Sequence, residues 1–581
     1  MNDPFREALL RTVTKTAAPA PKPQPRPQHK EPVSEGENND IDSLAPVPLG
    51  FNHGKYYYLS REEGQVHEIP TASHGANALI AMARLSYWQQ RFKGPKGPDW
   101  PAAIDYMMAS CRKIGVFNHD ILRGRGVSYD KGRSVLHLGN RLIVDGIPHA
   151  SLSLIDSEYI YEKAAPLKIT LGEPLTTKET YRILDICNMF SWATPDMGLL
   201  LAGWIVTAPV CGALPWRTHV WLTGQTGAGK TYVMSRFIRP LLGPLCLPVQ
   251  SKTTEAGIRQ KLRIDARPIM FDEPETQNDR DRDRIQQVLD LARQASSDDG
   301  FDILKGTVTG KEISYRIRSS FIFSSINFGA IQAADENRIV PLTLIPMEDR
   351  AGSADQFDLI KKMIAETVTE EFAGRLLCRT LHMLPQIRQS IGIFSRLLST
   401  TMSSRQADTI GCLVAGVYSL ISDDPLTMDA AKKFVADRTW IKMTANRTTT
   451  DSDHDKAMAH LMEQIIRQSP GTEWSVAEAI KIVKGQPDHG AANVLARNGI
   501  RVRGGNLLIG RSHSIIDKFF ATTPWARVWD KTILQYPGAS VAQTTVDFAG
   551  TKKRAVMIPL DRVISDEESL VPTWSAPDAA S

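Results

Sequence analysis

His219-Val-Trp-Leu-Thr-Gly224-Gln225-Thr226-Gly227-Ala228-Gly229-Lys230-Thr231 is the stretch whose reading decides the fold. The apolar run Val220 to Leu222 breaks into Gly224, and Gly229-Lys230-Thr231 completes the pattern G-x-x-x-x-G-K-[ST]. Small residues in such a turn let successive backbone N–H groups point inward and cradle anionic phosphate oxygens. Lys230 is placed to reach β- and γ-phosphates, and the Thr231 hydroxyl to help hold Mg2+. The run Tyr232 to Ile238 is expected to form a helix whose N-terminal dipole faces those phosphates. The alternative is a chance glycine turn. Every fixed position of the pattern is filled, between an apolar strand and a helix, which argues against it.

The 581 residues around this stretch are enough for several domains. A hydrophobic share of 42% and a charged share of 23% are those of ordinary globular protein. The net charge of +5 permits a nucleic-acid partner without demanding one, so any basic surface must be found locally. Cys111, Cys187, Cys211, Cys246, Cys378 and Cys412 are scattered and form no C-x-x-C pair. That argues against a zinc ribbon and against a disulfide framework, and suits a reducing cytoplasm. The N-terminus lacks the apolar core of a signal peptide. Gly198 to Trp216 is apolar, but Thr207, Pro209 and Pro215 interrupt it and it runs into the Val220 strand. A buried helix is expected there, with no membrane partner.

The chain divides into segments by composition. Residues 1–48 hold Ala20-Pro-Lys-Pro-Gln-Pro-Arg-Pro27 and an acidic stretch, a tail that cannot bury enough surface to fold. Residues 49–165 read as a small α+β domain. It has a strand at Tyr56 to Leu59, helices at Ala76 to Phe92 and Trp100 to Ile114, and paired strands at Ser134 to Leu138 and Arg141 to Val144. In the core at 166–350, helices at Thr177 to Met189 and Met197 to Thr207 lead in, and strand and helix alternate from about 217 to 346, the pattern of a parallel α/β sheet. Residues 351–450 are mostly helical, with Phe357 to Leu384 and Gln386 to Ile421 parted by Pro385. In 451–565, helices at His454 to Arg467, Ser475 to Val483 and Ala491 to Arg497 precede the hairpin Ile500–Val502/Leu507–Ile509, the order of a winged helix. A last strand pair is expected near Thr544 to Phe548 and Arg554 to Pro559, then a polar tail at 566–581. The arginines around the hairpin, Arg497, Arg501, Arg503 and Arg511, suit either a grip on duplex DNA or a plain interaction module.

Three further groups carry chemistry. Pro268-Ile-Met-Phe-Asp272-Glu273 is an apolar strand ending in adjacent carboxylates. Asp272 is placed to bind Mg2+ beside Thr231, and Glu273 to polarise an attacking water. A water-activating glutamate argues against a simple P-loop kinase. Phe321-Ile-Phe-Ser-Ser-Ile-Asn327 is a second apolar strand, expected between the strands of the P-loop and of Asp272. Asn327 then meets the γ-phosphate or the lytic water; otherwise it only caps a strand end. Glu336-Asn-Arg338 precedes the strand Ile339 to Leu344. Arg338 is a candidate finger for a neighbouring subunit's ATP, against the plainer reading of a salt-bridged surface arginine. Arg405 is a weaker candidate for a second phosphate sensor.

P-loop, Asp-Glu pair, terminal Asn and downstream Arg, in this order, resemble an AAA+ ATPase. The hairpin Ile303–Val308/Glu312–Arg316, set directly before the Asn327 strand, is similar to the pre-sensor hairpin of superfamily 3 helicases. Ile303-Leu-Lys-Gly-Thr, Tyr315-Arg-Ile-Arg-Ser319 and Leu136-His-Leu-Gly-Asn-Arg-Leu-Ile-Val-Asp145 resemble the helicase half of phage and prophage primase-helicases. The resemblance implies a homo-hexamer with the hairpins lining its pore. Lys311 matches the DNA-phosphate position at the hairpin tip, with Lys305, Arg316 and Arg318 nearby. The chain departs from such fusions in lacking zinc cysteines and an acidic polymerising site, so any primase is expected to be a separate partner. The fold expected is multidomain α/β: an AAA+ P-loop core with a parallel sheet, the small α+β domain before it, and the helical region and winged-helix-like domain after it. The function expected is an ATP- and Mg2+-dependent DNA helicase that replicates a phage, prophage or other mobile element. An AAA+ initiator, loader or remodeller, or a DNA-binding regulator that uses ATP as an assembly switch, are the rival readings.

Overall fold

The computed structural model describes residues 41–563 except 151, 153–154, 251, 273–278, 298–302, 307–311, 326–336, 347–352, 437, 439–452, 470–471, 486–488, 522 and 524. Two compact units divide the chain, Met1–Thr444 and Ala445–Ser581.

The first unit is built on a five-stranded sheet. Its strands are β1 (His219–Gly224), β2 (Leu247–Gln250), β3 (Ile269–Asp272), β4 (Phe321–Ser324) and β5 (Ile339–Leu344). The spatial order is β2-β3-β4-β1-β5, and every pairing is parallel. A parallel sheet must be covered on both faces, and strict alternation supplies two apolar faces. Val220, Leu222, Met270, Ile322, Val340 and Leu342 enter one large core. That core is completed by α1 (Asp196–Thr207) and, later in the chain, by the long helices Glu370–Leu398 and Ser404–Ile421. Trp221, Ile269, Phe271, Phe321, Phe323 and Ile339 face the other way, against α2 (Glu255–Leu262) and α3 (Asp279–Ala295). The apolar stretch Asp196–Ala213 has a mean hydropathy of 1.5 and is 94% buried within the fold, as expected of an internal helix.

Several expected elements are corrected. One helix was expected over Ala76 to Phe92, but two form, Ala76–Met82 and Leu85–Arg91. Ala83 turns extended between them, and the freed groups find partners. Ser60 Oγ donates to Met82 O, Trp88 Nε1 to Ala83 O, and Arg84 N to the Glu62 carboxylate. Conversely, no break occurs at Pro385: α4 (Glu370–Leu398) runs through it. Packing against α5 (Ser404–Ile421) and the core outweighs the one lost hydrogen bond. The P-loop helix extends past Ile238 to Leu242 and widens into a π-turn at Val233–Ile238, next to Pro240. An ordered strand, Val47–Asn52, starts inside the expected tail and pairs with Lys55–Leu59.

The strands Gly126–Asp130, Arg133–His137, Leu142–Val144 and Ile147–His149 form an antiparallel meander. Its Val127, Leu136 and Ile143 join the large core beneath the sheet, whereas Tyr56 to Cys111 keep a separate small core.

In the second unit the helix Asp453–Glu463 stops short of the expected Arg467, and Ile465–Ser469 pairs with Thr472–Ser475 as a hairpin. Ile465 and Ile466 are β-branched and favour the pleated conformation. The helices Val476–Gly485 and His489–Arg497 and the hairpin Ile500–Arg503/Asn506–Gly510 follow as expected. The final pair is corrected: Val546–Phe548 pairs with Thr551–Lys553, and Ala555–Pro559 instead pairs with Asn506–Gly510. Its apolar Val556 and Ile558 are buried against Leu507 and Ile509 in this unit's core, a gain that a pairing with Val546–Phe548 would not offer.

Candidate nucleotide site

The register places the P-loop and Asp272 along one edge. Gly224 ends β1 opposite Leu344, and Asp272 ends β3 opposite Ser324. All five strands run the same way, so Gly224, Asp272 and Ser324 mark the carboxyl edge of one sheet. In open α/β sheets ligands bind at that edge. The Phe321–Ser324 strand lies between β1 and β3, as expected, so its carboxyl end falls between the ends of the P-loop strand and the Asp272 strand.

The loop after β1 has the conformation its glycines allow. Gly224, Gly227 and Gly229 have φ of +149°, +85° and +86°. A side chain at Gly224 would place Cβ 2.3 Å from Leu344 O, so only glycine fits against β5. Gly229 is the left-handed residue before the helix that begins at Lys230, and Val233 N donates to its carbonyl at 3.0 Å. Gln225, Thr226 and Gly227 are exposed and Ala228 is buried. Lys230 Nζ donates to Gly224 O at 2.6 Å and Gln225 O at 3.0 Å. The ammonium therefore stands over the loop, where an anion's charge would be met. Thr231 is exposed one residue on, and Asp272 is half-buried at the end of the next strand but one. The open cradle of positive-φ glycines, a hydroxyl and a carboxylate on one edge are groups that would suit the phosphates of a nucleoside triphosphate and its Mg2+.

Glu273, Asn327 and Lys311 lie outside the described residues. For Lys305 only the strand is described: Ile303–Gly306 pairs antiparallel with Glu312–Tyr315, Lys305 opposite Ile313. The expected hairpin thus forms, and it leads through half-buried Arg316 and Arg318 into the start of β4.

Arg338 is placed differently. His219 pairs with Ile339 at the amino ends of β1 and β5, and His219 N donates to Arg338 O at 3.3 Å. Six strand residues then separate Arg338 from the P-loop edge, about 20 Å at the usual rise. Arg338 does not meet its own P-loop. Arg405 stands at the same amino edge. Thr409, one helical turn later, donates from Oγ1 to Asn337 O and accepts at its carbonyl from Thr218 Oγ1. The structure does not bring Arg405 to this subunit's P-loop either.

Sequence reasoning missed the ties that hold the carboxyl edge together. Trp221 Nε1 donates to Ser325 Oγ at 2.8 Å, and Ser325 N donates to Leu222 O at 3.2 Å. The Thr223 and Thr343 hydroxyls meet at 2.9 Å. These bonds fix the segment before Asn327 to the P-loop strand. The signal available was the alternation of Trp221 with Thr223 and of Phe323 with Ser325, which puts each pair on one face. His219 is also more than a strand residue. Phe321 N donates to its Nδ1 at 3.0 Å, and its Nε2 then donates to Ala292 O at 2.6 Å. Full burial drives its pKa down to about 3, so it is a neutral clamp between the sheet and α3.

In the second unit, two of the four hairpin arginines are neutralised. Arg501 pairs with Asp547 at 3.3 Å and Arg511 with Asp530 at 2.7 Å, while Arg497 and Arg503 are exposed.

No protein-family model matches the chain, and no curated protein matches it. Among solved structures it is similar to SCCmec type IV Cch, described as an active helicase, with a TM-score of 0.44 and 11% identity over 91% of this chain and 99% of that one. It is also similar to the apo C-terminal region of NrS-1, with a TM-score of 0.31 and 13% identity over 88% of this chain and 95% of that one. At these values neither likeness bears on activity.

Proposed function

We propose that this chain is an ATP-hydrolysing motor of the AAA+ superfamily 3 kind, acting on DNA as a helicase or translocase in the replication of a phage, prophage or other mobile element. The observation that carries the reading is the carboxyl edge itself. A glycine cradle with Lys230 above it ends one strand and Asp272 ends another, and the strand Phe321–Ser324 lies between those two. Gln225 to Gly229 offer backbone N–H groups to phosphate oxygens, and Lys230 supplies charge. Thr231 and Asp272 would hold Mg2+, which neutralises charge that develops on the phosphates. Glu273, one residue past Asp272, is the proposed base for the lytic water, and Asn327 its proposed orienting group. Arg338, remote from its own loop, is proposed to complete the site of a neighbour in a homo-hexamer. Lys305, Lys311, Arg316 and Arg318 are the proposed contacts to a DNA strand, and a primase, where one acts, would be a separate chain.

The test is turnover of ATP with and without single-stranded DNA, with strand displacement on a forked duplex. Wild type should hydrolyse ATP faster with DNA and separate the fork. Lys230→Ala should abolish both activities, and Glu273→Gln should bind ATP with turnover lowered at least 100-fold. Lys311→Ala should keep basal turnover but lose stimulation. Turnover that ignores DNA, with no strand displacement, would leave an initiator or loader as the better reading. Negligible turnover with ATP-dependent assembly would favour a regulatory switch.

A further inference from the structure

The amino edge of the sheet holds a second polar site, far from the P-loop. A cavity of about 330 Å3 opens where the N-terminal region meets the turn between α2 and β3. Its lining includes Arg125, Lys163, Lys261 and Arg263 against Glu162 and Asp265, four cations against two carboxylates. Asp265 is buried and already spoken for. Arg125 donates to it from its backbone N at 2.7 Å, from Nε at 3.0 Å and from Nη2 at 2.6 Å. Glu162 uses one oxygen to accept the Val66 N–H at 2.9 Å. Lys163, Lys261 and Arg263 are exposed on the rim, and no carboxylate among the described residues pairs with them. With Arg125 and Asp265 paired, three cations face the one remaining carboxylate, and the site carries net positive charge.

The place is built. Gly124 N donates to Ile264 O at 3.0 Å and Ala266 N to Arg125 O at 2.8 Å, so the two parts of the chain are stitched by backbone. A Cβ at Gly124 would fall 2.5 Å from Asp265 Oδ1, which only glycine avoids. Arg263 holds φ +52°, a left-handed conformation that an arginine adopts at a cost. That turn aims the end of α2 at the cavity mouth.

Its neighbours indicate what it holds. Ile269 opens β3 opposite Phe321 of β4, and Ile269 N donates to Ser320 O at 2.9 Å. The cavity turn, Lys261 to Asp265, and the segment that leaves the hairpin, Arg316 to Ser320, thus enter adjacent strands at the same edge. We propose that Lys163, Lys261 and Arg263 form a phosphate-binding station for a nucleic-acid strand, continuing the path of the Ile303–Tyr315 hairpin onto the N-terminal region. The proposal rests on the DNA-directed reading above and gives residues 49–165 a part in it. Phosphate contacts of this kind carry no sequence information and are weakened by salt.

The experiment compares the full-length chain with a Lys163→Ala/Lys261→Ala double variant and a Lys163→Arg/Lys261→Arg control. Anisotropy of a labelled oligo-dT, with a non-hydrolysable ATP analogue, is measured across salt concentrations. The double variant should bind about tenfold more weakly at low salt, and its slope of log K against log salt should fall by about 1.4, two contacts at about 0.7 each for single strands. The arginine control should keep both, and turnover without DNA should match wild type. DNA binding and slope unchanged in the double variant sink this inference alone. No DNA binding by wild type sinks the proposed function and this inference with it. Pyrophosphate or AMP binding to a Lys230→Ala chain, lost in the double variant while DNA binding is kept, would assign the cavity to a free small ligand and overturn the strand.

Discussion

His219 and His137 show how single side chains set the chain's response to acid. Burial, the largest cause in each case, holds His219 near about 3 and His137 near about 4, both below the ordinary 6.5. Between pH 6.5 and those values the unfolded chain binds protons that the folded chain does not, so stability is present above pH 6.5 and is lost as pH falls. At about 1.4 kcal/mol per pH unit, His137 alone removes roughly 3 kcal/mol by pH 4. Urea denaturation of the first unit at pH 7.5 and at pH 4.5 should show the loss, and His137→Leu should flatten the dependence. A midpoint unchanged between the two pH values would contradict the burial. At this scale the conformation of the loop at Gly224 to Gly229 was legible, because the motif is contiguous in the chain and its glycines set the turn. The roles of His219 and Ser325 were not. Their partners, Ala292, Phe321 and Trp221, lie far along the chain.

Among the elements, α1 and α5 cross closely enough to exclude side chains. A Cβ on Gly203 would fall 2.1 Å from Leu413 O, and one on Gly416 would fall 2.5 Å from Gly203 O. Helix propensity alone predicts that Gly→Ala gains up to about 1 kcal/mol. Close packing predicts the opposite sign, and overpacking typically costs about 1–3 kcal/mol. Gly203→Ala and Gly416→Ala should therefore lower the melting temperature. Gly392→Ala, in α4 with nothing within 4 Å of the added Cβ, should raise it. Equal effects at the three positions, read by thermal melts, would refute the packing account. Elements with strong periodicity and clear caps were legible, among them β1, β3, β4 and the helix Thr177–Met189, opened by its Thr176/Glu179 capping box. The misreadings came where tertiary contacts outweighed local preference: Ala83 captured by surrounding polar groups, and Pro385 carried through by core packing.

For the whole molecule, the distance between Arg338 and its own P-loop decides how an assembly would work. Arg338 lies at the amino edge and Gly224 at the carboxyl edge, about 20 Å apart along the strand. A finger so placed would serve only another copy. Lys230→Ala and Arg338→Ala chains should each be nearly inactive alone. Mixed, they should recover part of the ATP turnover, since some junctions then pair an intact P-loop with an intact arginine. No recovery on mixing, with both variants still assembling, would remove Arg338 from the role.

The sequence by itself determined that a glycine loop ending in Lys230 follows one strand and that another strand ends in an acidic residue, because those signals lie within a few adjacent residues. It also determined the hairpin before β4. Only the tertiary structure decided the ties from Trp221 to Ser325, the opposite edges occupied by Lys230 and Arg338, and the meeting of Lys163 with Lys261 and Arg263. The physical reason is that each of these depends on which faces bury which, a sum over contacts between residues far apart in the chain.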